Sequence, residues 1–131
     1  MQRNIEIFDA QVAFILAKLY DKFPTKIDFR CEELEKATKH KEISFDEHKK
    51  YCRDTVLFLA DNDFIDVQYK SMNGDTFQNV RLTMKGLKSL KQIPKSIRDE
   101  ETVGEKISKS VAEGFISTAV GLVNSTVMKL I

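Results

Sequence analysis

The stretch from Ile65 to Thr83, IDVQYKSMNGDTFQNVRLT, constrains the fold more than any other part of the chain. Two runs with β-branched and aromatic residues flank an Asn-Gly pair. That pair tolerates the two positive φ angles of a type I′ turn, the commonest tight hairpin connection. With Asn73 and Gly74 as the loop residues, the register follows. Ile65 faces Leu82 and Val67 faces Val80 on one side; Asp66 faces Arg81, Gln68 faces Asn79 and Lys70 faces Phe77 on the other. One side is apolar and the other mostly polar, as expected of a hairpin resting on helices. A lone hairpin is marginal in water, so the rest of the chain must supply the surface it covers. Phe77 breaks the pattern. It falls on the polar side near the tip, where it packs against the Lys70 stem or a neighbouring element, or meets a partner.

The flanking segments read as helices. Ile5, Phe8, Val12, Ile15, Leu16 and Leu19 recur at helical spacing and predict a helix from about Asn4 to Tyr20, ended by Phe23-Pro24. Lys26 to Phe29 alternates and suits a short strand, and Cys31 to Lys39 reads as a short helix. Ser44-Phe45-Asp46-Glu47 is a capping box, in which the hydroxyl accepts from the Glu47 amide and the carboxylate reaches back. The helix it opens has Phe45, His48 or Lys49, Cys52, Val56 and Leu59 inward, widened by Tyr51, Thr55 and Phe58, and ends at Asp61-Asn62-Asp63. Thr83 caps a further helix from Met84 to about Ile93, with Leu87 and Leu90 inward and Pro94 as its stop. After a charged joint at Arg98 to Glu101, Thr102-Val103-Gly104-Glu105 is a second capping box and opens a last helix to the C-terminus.

Helix, strand, helix, helix, hairpin, helix resembles the order of a winged-helix domain. The pattern Asn62-Asp63-Phe64-Ile65, then the hairpin, then Val80-Arg81-Leu82-Thr83-Met84-Lys85-Gly86-Leu87 carries the resemblance. It looks like the end of the recognition helix, the wing and the following helix of bacterial and phage winged-helix regulators. The layout is also similar to that of small YjcQ-like proteins. The resemblance covers about residues 4 to 93. It implies a mostly helical α+β fold, a three-helix core with a β-hairpin wing, and DNA-binding function in transcription regulation. Winged helices also serve protein–protein contact, so an adaptor without nucleic-acid or catalytic role is the alternative. The division expected is a winged-helix domain over residues 1–98 and an apolar C-terminal helix over 99–131.

In that family the helix from Phe45 holds the recognition position. Its outward residues are then Asp46, Glu47, Lys49, Lys50, Arg53 and Asp54. Lys49, Lys50 and Arg53 suit phosphate or guanine; the three acids repel phosphate. The chain's net charge of +1 names no polyanion partner, so any such argument must be local. From Lys70 to Arg98 the cations Lys70, Arg81, Lys85, Lys88, Lys91, Lys95 and Arg98 stand against one acid, Asp75. Lys85, Lys88, Lys91 and Lys95 share one helical stripe, either a solvated face or a phosphate-contacting one. The candidate DNA contacts are Lys49, Lys50, Arg53, Lys70, Asn73, Lys85 and Lys88; Arg81 is weaker because Asp66 lies opposite.

The tail supplies the second informative stretch. Gly114 to Met128 carries no charge. Ile116, Val120, Val123, Val127 and Leu130 follow a 4-3-4-3 coiled-coil spacing, beside a second stripe of Ile107, Val111, Phe115, Ala119 and Leu122. A helix this apolar must be covered. Pairing with its copy in a homodimer leads; folding back on its own domain, or meeting a membrane or larger assembly, are the alternatives. A membrane partner is not expected, since fifteen uncharged residues fall short of the roughly 20 that span a bilayer.

Composition agrees with one globular unit, 42% hydrophobic and 31% charged over 131 residues. Cys31 and Cys52, with no close pairing motif, read as free thiols of a reducing cytoplasm, with Cys52 a small core residue. The N-terminus lacks the apolar core of a signal peptide. His40 and His48 form no usual zinc spacing with the cysteines, and Asp61, Asp63 and Asp66 lack the glycine and terminal glutamate of a calcium loop. No phosphate-binding loop, dinucleotide fingerprint or nucleophile elbow occurs, so neither an enzyme nor a cofactor is expected.

Overall fold

Apolar spacing sets the first and central element. In the computed structural model, which describes residues 3–38, 44–70, 76–91 and 102–128, α1 spans Arg3–Lys22. Ile7, Val12, Ala13, Ile15, Leu16 and Leu19 are buried, whereas Ile5 stays 47% exposed. The helix is buried on several sides because many other elements pack on it, among them α2 (Cys31–Thr38), α3 (Phe45–Asp61), β3 (Thr76–Leu82), α5 (Val103–Ala112) and α6 (Ile116–Leu122). Truncating a buried leucine such as Leu16 to alanine costs about 2–5 kcal/mol at a site of this kind.

β1 (Ile27–Arg30), β2 (Ile65–Lys70) and β3 form one antiparallel sheet in the order β1-β3-β2. The β2–β3 register is the one the Asn-Gly turn predicts: Ile65 opposite Leu82, Asp66 opposite Arg81, Val67 opposite Val80 and Lys70 opposite Phe77. The Asn73-Gly74 turn itself lies outside the described residues.

Phe77 is where strict alternation fails. It is 0% exposed, in the core with Phe29 of β1 as its cross-strand partner. Asn79 has φ of 55°, a left-handed conformation that Asn tolerates better than most residues. β1 advances from Ile27 to Phe29 while β3 retreats from Val80 to Phe77, so β3 carries one extra residue. Gln78 and Asn79 are therefore both exposed, and Phe77 comes onto the face of Val80 and Leu82. The Asn79 amide donates to Asp28 Oδ1 at 3.3 Å, and its side chain donates to Gln68 Oε1 at 2.9 Å. Phe77 is thus a core residue, not a contact at the tip.

Both cysteines are likewise reassigned. Cys31 opens α2 and Cys52 lies midway along α3, and they form a disulfide with Cα atoms 5.8 Å apart. The expected free thiols are absent. With them goes the thiol argument for a reducing cytoplasm, since such bonds persist mainly in oxidising surroundings.

The tail is not one helix. α5 begins as predicted, with Thr102 Oγ1 accepting from the Glu105 amide at 3.1 Å. It stops at Gly114, whose φ is +83°. Phe115 N–H donates to the Ser110 carbonyl and Gly114 N–H to the Val111 carbonyl, the pair of bonds of a Schellman stop. α6 follows and runs into a π-helical turn, Val123–Val127. Both helices pack on α1. Ser108 Oγ donates to the Ala17 carbonyl at 3.2 Å, and the Tyr20 and Thr102 hydroxyls lie 2.9 Å apart. At Gly104 any Cβ would stand 2.5 Å from the Tyr20 ring, so only glycine lets α5 approach so closely. Val103, Ile107, Ala119, Val123 and Val127 belong to the same core cluster as Leu16 and Phe77. The core therefore runs on past the division expected near residue 98.

Among the described residues no helix is long and apolar enough to cross a membrane.

Candidate nucleic-acid interface

α3 is held at three points. At its start Ser44 Oγ accepts from the Glu47 amide at 3.2 Å, as the capping box predicts. Midway, Cys52 is tied to α2, and Thr55 Oγ1 donates to Gln11 Oε1 of α1 at 2.8 Å in the interior. At its end Asp63, with φ of 63°, closes a Schellman motif: Phe64 N–H donates to the Leu59 carbonyl and Asp63 N–H to the Ala60 carbonyl. His48, Cys52, Thr55, Val56 and Leu59 form the buried face. Phe45 and Phe58, expected inward, are 47% and 40% exposed, because the face turned to α1 is narrower than the apolar stripe.

The outward face carries Lys50 and Arg53 exposed and Lys49 half-buried. Asp46 and Glu47 sit in the first turn, where carboxylates favour the positive end of the helix dipole. That gives two of the three acids a structural reason to be there. Arg53 Nε lies 3.5 Å from Asp54 Oδ1, an exposed pair of the kind worth at most about 1 kcal/mol.

The other candidates divide. α4 (Met84–Lys91) starts as predicted, with Thr83 Oγ1 accepting from the Gly86 amide at 3.0 Å and Leu87 and Leu90 buried. Lys85 is engaged: its Nζ donates to the Asn62 carbonyl at 3.1 Å and stands 5.0 Å from the centre of the Phe64 ring. This satisfies a carbonyl at the end of α3, from an exposed position. Lys88 and Lys91 are exposed. Lys70 ends β2; Asn73 and Lys95 lie outside the described residues. Arg81 Nη1 is 3.5 Å from the Pro24 carbonyl. Lys50 and Asn62 are separated by about 18 Å along α3 at 1.5 Å per residue, so the α3 cations and the Lys85 end are distinct groups.

The tail residues expected to pair with a second copy are spent on the chain's own core. Val123 and Val127 are buried, and Ile116 and Val120 pack half-buried against the same cluster. Leu130 lies outside the described residues. Past the stop at Gly114, α6 and the π-helical turn both pack on α1, and the described part of the 4-3-4-3 seam lies against the core.

Residues that pattern reading passed over include Gln11 and Gly86. Gln11 sits on the buried side of α1, 0% exposed, among apolar neighbours. Its polarity on an otherwise apolar face was the available signal, with Thr55 the matching oddity on α3. Gly86 has its place in the Lys-Gly-Leu segment that follows the hairpin, and its packing explains that segment (see Discussion).

Among the described residues no three His, Cys, Asp or Glu side chains converge on a common point that could hold a metal ion. No family model, no curated protein and no solved structure matches this chain.

Proposed function

We propose that the chain is a small winged-helix protein that binds duplex DNA as a regulator, with α3 in the recognition position. The strand order β1-β3-β2, with the hairpin following α3 directly, supports the fold reading. One observation carries the function: Lys50 and Arg53 project into solvent from a helix capped at its start and fixed behind by a disulfide and a buried hydrogen bond. A rigid helix can present cations to phosphates with little ordering cost. Lys88 adds a contact from α4. The reading needs no dimer.

A second reading, a protein-contact module with no nucleic-acid role, is favoured by the exposed carboxylates of Asp46, Glu47 and Asp54 on the same face. Substitution separates the two. Lys50→Ala and Arg53→Ala, each exposed, are expected to leave stability within about 0.5 kcal/mol. Each should also lower the salt dependence of duplex binding by about one unit of slope. Unchanged affinity for both would reject α3 as the docking element.

A further inference from the structure

Between the first turns of α1 and the second half of α3 lies an open groove of about 430 Å³. That volume is in the range of sites for small organic ligands. Its walls are Ile5 and Phe8 from α1 and Tyr51 and Phe58 from α3. The Phe8 and Phe58 rings meet edge to face, centroids 5.3 Å apart and planes at 89°, which fixes the aromatic wall. Ile5 and Phe58 nonetheless remain 47% and 40% exposed, so much of their apolar surface faces water. Thr55, buried and bonded to Gln11, contributes to the lining as well. Among the described residues the lining holds one formal charge, the Asp54 carboxylate, and no cation. Arg53 pairs with Asp54 only across exposed neighbouring side chains, an ion pair weak enough for a ligand cation to replace.

We propose that this groove binds a small apolar amine, its ring or chain between Ile5, Phe8, Tyr51 and Phe58 and its ammonium at Asp54. Aromatic faces attract a cation and the carboxylate completes the match, whereas an anionic ligand meets repulsion from Asp54. The site stands whether or not α3 meets DNA.

The test is an amide-shift NMR titration of the isotope-labelled full chain with 2-phenylethylammonium. Phenylacetate serves as the anionic counterpart and 2-phenylethanol as the neutral one. The expected result is saturable shifts centred on Ile5, Phe8, Tyr51, Thr55 and Phe58, with the amine binding most tightly. Asp54→Asn should then remove the preference for amine over alcohol, a loss of about three-fold or more, the scale of an exposed ion pair. Ile5→Lys, at an exposed position, should weaken the amine more than the alcohol while the folded spectrum persists. No saturable shift, phenylacetate binding as tightly as the amine, or an amine preference intact in Asp54→Asn would overturn the proposal.

Discussion

A Cβ placed on Gly86 falls 2.2 Å from the Phe64 carbonyl oxygen. Phe64 N–H and C=O both have fixed partners, the Leu59 carbonyl and the Thr83 amide, so this backbone cannot yield easily. Gly86→Ala is therefore expected to destabilise the chain by about 1–3 kcal/mol, the range for forced overpacking. A urea titration of the two proteins checks it; equal midpoints would mean that α4 can slide away from Phe64.

The Cys31–Cys52 bond closes a loop over a sequence separation of 21. Loop-closure entropy for that length corresponds to about 3 kcal/mol of stability. Denaturant unfolding with and without reductant measures it. A shift below about 1 kcal/mol would show that the two helices hold together without the bond.

The two non-glycine residues with left-handed backbone among the described residues give opposite predictions. Asp63 terminates α3 through its backbone, so Asp63→Gly relieves the positive φ and should stabilise by about 0.5–1 kcal/mol. Asn79→Val places a β-branched residue at φ of 55° and discards the bond to Gln68, and should destabilise by about 1–3 kcal/mol. Thermal unfolding of both variants distinguishes these outcomes. A neutral Asn79→Val would mean that β3 reverts to regular alternation, with Phe77 leaving the core.

Much of this is legible in the sequence, and most of the rest depends on contacts between distant positions. The β2–β3 register and the caps at Ser44 and Thr102 depend on residues within a few positions of one another, and local chemistry suffices for those. Phe77 was misplaced because alternation assumes an unbroken pleat, and the extra residue at Asn79 is set by pairing with the distant β1. The apolar spacing predicts one continuous tail helix because it ranks apolar positions and takes no account of Gly114 as a helix stop. Glu113-Gly114-Phe115 holds the Schellman signal, a glycine followed by an apolar residue. The disulfide and the Lys85 contact join positions 21 and 23 apart, separations at which spacing says nothing about proximity.

Gln11 and Thr55 form a polar pair inside an apolar interface. Gln11 Oε1 accepts from Thr55, while Gln11 Nε2 has no partner among the described residues. Thr55→Val strands the glutamine entirely and should cost about 1–3 kcal/mol. Adding Gln11→Met to it removes the stranded group and should recover most of that loss. A double-mutant cycle by urea unfolding gives the coupling; additive losses would show that the pair is not a unit.

The most direct measurement for the proposed function is salt-titrated binding of the full chain to random-sequence duplex DNA, followed by fluorescence anisotropy. Electrostatic binding is strongest at low salt and weakens as counterions are retained. Contacts from Lys50, Arg53 and Lys88 predict measurable association at about 50 mM salt. They also predict a plot of log K against log salt with a slope of about −2.7, at −0.9 per phosphate neutralised. Absence of binding at about 50 mM salt would contradict a DNA-binding role and leave the protein-contact reading.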